Sequence, residues 1–223
     1  MNNILLLISI VGTFSGMLAV KKLLGKEGLI GWIGIASIVA NILIVKSVVL
    51  LGMESTLGNV LFASNFLATD MLTENYGYKA AKKGVMFGAL GVISYLIITQ
   101  VSLIYKPSQF DIAQELFQVL FSFAPRITLA SVSLFILSNY IDIKLYDCLR
   151  KKHGEKKLWI RNNVCTILSN GSENFLFYAI SFYGIFGTSE IIQMAISATI
   201  IEVVIALCDT PFLYISRHIK DSV

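Results

Sequence analysis

Long apolar runs separated by short polar connectors set the pattern of this chain. They cover Ile4 to Val20, Leu29 to Leu51 (interrupted by Asn41 and Lys46), Thr56 to about Asn75, Val85 to Ile104, Pro125 to Tyr146, Val164 to Phe186 and Ile191 to Ile215. A helix rises about 1.5 Å per residue, and the hydrocarbon core of a bilayer is about 30 Å thick. Roughly 20 apolar residues therefore suffice to cross it. The third run is the weakest, because its end carries Asp70 and Glu74. A short amphipathic piece, Phe110 to Phe123, precedes Pro125, and proline suits the first turn of a helix better than its interior. The pattern predicts an all-α polytopic membrane helix bundle of about seven transmembrane helices, the third short or weakly apolar. Residues 1–223 are expected to form a single transmembrane domain.

Composition sharpens that reading. Hydrophobic residues make up 56% of the 223 positions and charged ones only 14%, against about 25% charged in a soluble domain. Seven spans use roughly 140 positions. Too little chain remains for a separate ATPase, kinase or extramembrane receptor module. Cys148, Cys165 and Cys208 show no CxxC spacing, and His153 and His218 sit in basic connectors. No metal site, disulfide framework or cofactor is expected. There is no HExxH, GxSxG or Walker motif, so an enzyme is the weaker class.

Charge placement orients the bundle. No Lys or Arg precedes the first run, while Lys21, Lys22 and Lys26 follow it, the reverse of a secretory signal. With the N-terminus outside and the C-terminus in the cytoplasm, fifteen of the 18 basic residues fall on the inner side. That is the positive-inside bias. Only Lys46, Lys106 and Arg126 escape it. Omitting the weak third span would reverse the later connectors. The net charge of +4 thus reflects topology and not nucleic-acid binding. The run RKKHGEKK reads as a solvated connector or, less simply, as a binder of acidic lipid headgroups.

Polar residues inside the spans carry the functional signal. An ionised group at mid-membrane costs about 2.5–3.5 kcal/mol on insertion scales, so such groups face a cavity or a partner. Glu173 lies near the centre of the sixth span, and helical spacing puts Asn170, Asn174 and Phe177 on its face. Packing alone rarely needs a carboxylate at that depth. Asn41 is mid-span in the second run. Glu202 lies in the seventh, where it reads as a salt-bridge partner of Lys46 or Arg126, a proton carrier, or part of a site. Gly28, Gly31 and Gly34 read as close-packing positions.

The stretch NILIVK, followed by NFLATDMLTENYGYKAAK, resembles the queuosine-precursor transporter family of bacterial membrane proteins, also labelled vitamin uptake transporters. Asp70, Glu74, Tyr76, Gly77, Ala81 and Lys82 match that family's most specific motif. PRITLAS and SNYIDIKLYDCLR look like its Arg…Ala-Ser and inner Asp. In the sixth span the family tends to read Ser-Thr-x-x-Ser-Gln-x-x-Asp-Ser/Thr-x-x-Phe. This chain has Cys165, Thr166, Ser169, Asn170, Glu173, Asn174 and Phe177 there. The resemblance covers roughly residues 37–187, and Glu173 and Asn170 depart from the family's Asp and Gln.

The resemblance implies uptake, across the bacterial cytoplasmic membrane, of a 7-deazaguanine precursor (preQ0, preQ1 or queuine) for tRNA modification. Glu173 is expected to read the donor edge of the base near the bilayer midplane, with Asn170, Asn174 or Asn41 reading its carbonyl and ring nitrogens, an aromatic stacking on it, and Phe177 among the binding residues. Asp70 and Glu74 are expected to form a gate or cap, or else a charged helix end. Glu202, Arg126 and Lys46 complete the gating or coupling set, with proton coupling through Glu173 or Glu202 an option. The alternative is a substrate-binding subunit of an energy-coupling, ATPase-dependent vitamin-type transporter. Small-residue helix faces would also allow a homodimer.

Overall fold

A computed structural model describes residues 1–44, 46–121, 125–153, 158–184 and 186–222, the side chains of 125–128 and 153 excepted. Its helices are α1 (Asn2–Leu43), α2 (Asn59–Tyr76), α3 (Tyr78–Ile104), α4 (Gln114–Phe121), α5 (Pro125–His153), α6 (Leu158–Phe182) and α7 (Thr188–His218). A two-stranded antiparallel hairpin, β1 (Ser47–Leu50) and β2 (Met53–Thr56), lies between α1 and α2.

α1 is two antiparallel arms. Gly25 breaks it with φ +55 and ψ −137, a conformation open to glycine and closed to most other residues. Beyond that point the chain doubles back: the Trp32 ring lies against Gly16, and Gly28 lies against Val20. With α1 counted as two arms, and with α2, α3, α5, α6 and α7, seven segments run the length of the bundle. The all-α polytopic architecture expected from the apolar runs is present. α4 is the short exception, a peripheral helix whose start is capped by Asp111 Oδ1, which accepts the N–H groups of Ala113 (2.7 Å) and Gln114 (2.8 Å).

The second apolar run does not stay helical to Leu51. The helix stops at Leu43, and the β-branched stretch Ser47–Leu50 pairs instead with Met53–Thr56. Leu51 (φ +52) and Gly52 (φ +80) make the two-residue turn with both central residues left-handed, as hairpin twist requires. A continuous apolar run does not by itself separate helix from strand. The hairpin is tied to the chain start: Asn2 Nδ2 donates to Val49 O (3.1 Å), and Leu51 N–H donates to Asn3 Oδ1 (3.0 Å). This is the hairpin end of the bundle. The Gly25 reversal, Gly77 and the C-terminal tail mark the opposite, basic end.

Burial explains why some spans are so polar. α1, α3, α5 and α7 have stretches long and apolar enough to cross a membrane, whereas α2 and α6 do not meet that measure. Fourteen of the 18 residues of α2 are buried. It packs against α1, α3, α5 and α7 and has little need of lipid-compatible side chains. The periphery shows the converse: Met86, Phe87, Leu90, Ile97 and Ile98 of α3 are exposed while Arg161, Lys21, Asp70 and Asp142 are buried. Apolar outside and polar inside is the arrangement for a protein whose solvent is a bilayer.

Gly34 gives close approach to Phe87 of α3, while Gly28 serves the α1 reversal. At Gly31 nothing lies within 4 Å of where a Cβ would be, so that position is open.

Candidate functional site between α2, α5, α6 and α7

Polar residues recur at one-turn steps along four helices and stack into three layers. Nearest the hairpin end is a cavity of about 70 Å³ whose lining includes Asn59, Asn65, Phe66, Asn139, Glu173, Asn174, Phe177, Tyr178 and Glu202. Ser138 Oγ donates to Glu173 Oε2 at 2.5 Å. Asn174 Nδ2 donates to Glu202 Oε2 at 2.7 Å. The two carboxyl groups are near enough to interact electrostatically.

The amides around them are oriented by their nitrogens. Asn139 Nδ2 donates to Phe135 O (2.9 Å), and Asn65 Nδ2 donates to Ser37 Oγ (3.1 Å). This leaves Oδ1 of each buried with no donor among the described residues. The cavity is therefore rich in acceptors. An aromatic ladder leads from it along α6 and past its end: Phe177 meets Tyr178 edge-on (5.5 Å), Tyr178 stacks on Phe182 (5.8 Å), and Phe182 meets Phe186 (5.6 Å). Thr56 and Tyr178 also line a wider vestibule of about 440 Å³ with Glu54, Glu190 and Gln193 at the hairpin end.

The middle layer holds Asp70, Asp142 and Asp209, each at most 1% exposed. Ser169 Oγ donates to Asp142 Oδ1 (3.2 Å), and Asn162 Nδ2 donates to Asp209 Oδ1 (2.6 Å). The last layer, at the basic end, centres on Glu74. Arg161 Nη2 lies 2.6 Å from it, Arg217 Nε 3.5 Å and Arg150 Nε 3.7 Å, while Tyr146 donates its hydroxyl at 3.1 Å. Arg150 also donates to Thr73 O. Charge-assisted bonds of this kind hold four helices together at one point.

Of the residues singled out in the sequence, Glu173, Asn174, Phe177 and Glu202 share the cavity. Asn170 is buried one turn nearer the basic end, with Oδ1 unpartnered among the described residues, and does not line it. Asn41 also lies outside the lining and donates to Ser37 O of its own helix (2.8 Å). Lys46 is exposed at the hairpin, so Glu202 has Asn174 as its donor there. The side chain of Arg126 lies outside the described residues. Asp70 and Glu74 occupy the two deeper layers.

Sequence reasoning missed Asn65, Ser138, Asn139 and Tyr178 at the cavity, and Tyr146 and Arg161 at Glu74. The one-turn spacing of Ser138, Asn139, Asp142 and Tyr146 was the available signal, since such positions share a helix face.

An interior cavity of carboxylates, amides and aromatics between α2, α5, α6 and α7, in a bundle with an apolar exterior, defines a polytopic membrane protein with a polar interior site. Residues 56–216 match the family described as "Putative vitamin uptake transporter". The chain belongs to that family, which is one of membrane transporters. It is 35% identical over 194 residues to a "Probable queuosine precursor transporter" of Bacillus subtilis (strain 168), covering 86% of this chain and 85% of that one. It is 31% identical over 148 residues to a "Queuosine precursor transporter" of Escherichia coli (strain K12), covering 65% and 62%. No solved structure matches.

Proposed function

We propose that this chain imports a 7-deazaguanine precursor of queuosine across the bacterial cytoplasmic membrane, with its basic end in the cytoplasm. The carrying observation is the acceptor excess of the cavity: Glu173, Glu202 and the unpartnered Oδ1 atoms of Asn65 and Asn139. A 7-deazaguanine ring presents an N–H and an amino group side by side, which one carboxylate accepts together. Glu173 takes that edge, Asn65 and Asn139 take the remaining donors, and Phe177 or Tyr178 stacks on the ring.

The cavity is smaller than the roughly 300 Å³ at which ligand pockets begin. Tyr178, shared with the vestibule, swings aside as the base enters from the hairpin end. The Glu74 cluster closes the other end in this state, as alternating access requires of one side at a time. The names carried by the relatives support the same solute class.

The test is uptake of labelled preQ0 and preQ1 by cells that lack other routes, with and without this protein. Each charge-assisted contact contributes about 1.5–3 kcal/mol, so Glu173→Gln is expected to weaken the apparent affinity about tenfold or more. Undiminished uptake by that variant would remove Glu173 from the site.

A further inference from the structure

The middle layer has no place in base recognition, and its atoms are oddly matched. Asp70 on α2 and Asp142 on α5 face each other at hydrogen-bonding range. No donor reaches either oxygen of Asp70, or Oδ2 of Asp142 or Asp209, among the described residues. Two carboxylates offer only lone pairs to each other, so a contact between them needs a hydrogen on one. An independent observation lies on α6. Asn162 is fully buried, its Nδ2 donates to Asp209 and Thr210, and its Oδ1 is without a donor among the described residues. Thr166 lies one turn from both Asn162 and Ser169 on the same face of α6, between the contacts to Asp209 and to Asp142, and its buried Oγ1 likewise has no partner among the described residues.

The charged and titratable groups around Asp70 are Glu74 on its own helix, Asp142 and Tyr146 from α5, Arg161 and Cys165 from α6, and Asp209 from α7. The cations are committed one layer down: Arg150, Arg161 and Arg217 converge on Glu74. No three acidic, histidine or cysteine side chains among the described residues are grouped to hold a metal ion. The occupant that suits two facing carboxyls, with a third one nearby, is a proton.

We infer that Asp70 and Asp142 form a proton-carrying pair that couples passage of the solute to a proton gradient. The inference rests on the transport reading above. One proton enters the pair from the hairpin side with each base and leaves to the basic end when the base does. The pair lies one turn from the cavity along α5, from Ser138 to Asp142, and one turn from the gate along α2, from Asp70 to Glu74. It is placed to register both.

The experiment uses purified full-length protein in proteoliposomes and labelled preQ1. With one proton per base, a one-unit inward proton gradient is expected to concentrate label about tenfold, and a protonophore to abolish this. Asp70→Asn and Asp142→Asn are expected to retain exchange of internal for external label while losing gradient-driven accumulation. Should either variant fail to fold, the wild-type protein still decides: adding preQ1 to a weakly buffered suspension must alkalinise the medium. Accumulation surviving in both variants, accumulation driven by sodium instead, or no pH change with the wild type overturns the pair. Absence of any exchange by the wild type would instead overturn the transport reading itself.

Discussion

Arg161 Nη2 lies 2.6 Å from Glu74 Oε1, and both side chains are almost wholly buried, at 1% and 3% exposure. Arg150 and Arg217 approach the same carboxylate from α5 and α7. One acidic residue on the innermost helix thus gathers a cation from each of the three helices that line the cavity with it. The carboxylate is buried in an ion cluster and is not a charged helix end exposed to water, and we read that cluster as the closed end of the proposed pathway. It is also reversible in principle, since its cost and its gain are both electrostatic and nearly balance.

Removing the carboxylate unbalances that cluster. Breaking a buried pair by deleting one partner typically costs about 3–5 kcal/mol, because the other charge stays buried. Glu74→Gln is expected to lower thermal stability in detergent by a margin of that order. Glu74→Asp, which keeps the charge, should recover most of it. Equal melting of wild type and the glutamine variant would show that the three guanidiniums do not depend on Glu74.

Ser138 offers a gentler probe of the cavity. Its hydroxyl holds Glu173 Oε2 at 2.5 Å, which fixes the carboxylate against α5 and leaves Oε1 and the second lone pair of Oε2 for a ligand. Ser138→Ala removes that orientation and nothing of bulk. A hydrogen bond to a charged group contributes about 1.5–3 kcal/mol. The expected result is therefore a KM for uptake raised about tenfold, with melting lowered by no more than the loss of that one bond. A raised KM in protein that still folds and melts cooperatively separates orientation of Glu173 from support of the fold.

The bundle was legible because lipid imposes a coarse rule: apolar runs of span length, with basic connectors at one end. The weak third span, α2, falls short of that rule, and its burial against four neighbours explains its polarity. Helix spacing also brought Glu173, Asn174 and Phe177 to one face. The hairpin escaped notice because Ser47–Leu50 continues an apolar run without a breaker before Gly52. The partners of Glu74 escaped because Tyr146 and Arg161 lie 72 and 87 residues away along the chain. Arg161 also reads as one more cation in a topogenic connector. Pairing between distant segments leaves no local pattern to read.

The C-terminal tail closes the basic end around the α1 reversal. Lys21, 2% exposed, donates to Ile219 O (2.9 Å) and pairs with Asp221 (3.5 Å). Tyr76 donates to Asp221 at 2.8 Å, and Ser222 N–H donates to Lys22 O at 2.8 Å. Deleting residues 219–223 strips a buried ammonium of both acceptors, and leaving a charged donor unsatisfied costs at least about 1–3 kcal/mol. The truncated chain is expected to melt at lower temperature and to be cut faster by protease near Gly25. Lys21→Met should largely restore the truncated chain, because the stranded charge is then gone. Failure of that rescue would place the tail's contribution elsewhere.

The glycines of α3 separate packing from propensity. A Cβ at Gly88 would lie 2.8 Å from Ile33 Cγ2 and 2.9 Å from Phe135 Cζ, and one at Gly84 would lie 2.7 Å from Ile33 Cδ1 and 2.9 Å from Leu72 Cδ1. These positions let α3 settle against α1, α2 and α5 at once, as small residues do between membrane helices. Gly12 and Gly31 are helical too, yet nothing lies within 4 Å of where their Cβ atoms would be. Forcing bulk into a packed interior costs about 1–3 kcal/mol, whereas alanine in an open helical site gains up to about 1 kcal/mol from backbone entropy. Gly88→Leu is therefore expected to lower the melting temperature, and Gly12→Ala and Gly31→Ala to leave it unchanged or raise it. Phe135 belongs to both the Gly88 contact and the cavity lining, so Gly88→Leu should also depress uptake in protein that still folds. A destabilised Gly88→Leu with wild-type affinity for the base would show that α3 packing and the cavity are mechanically separate.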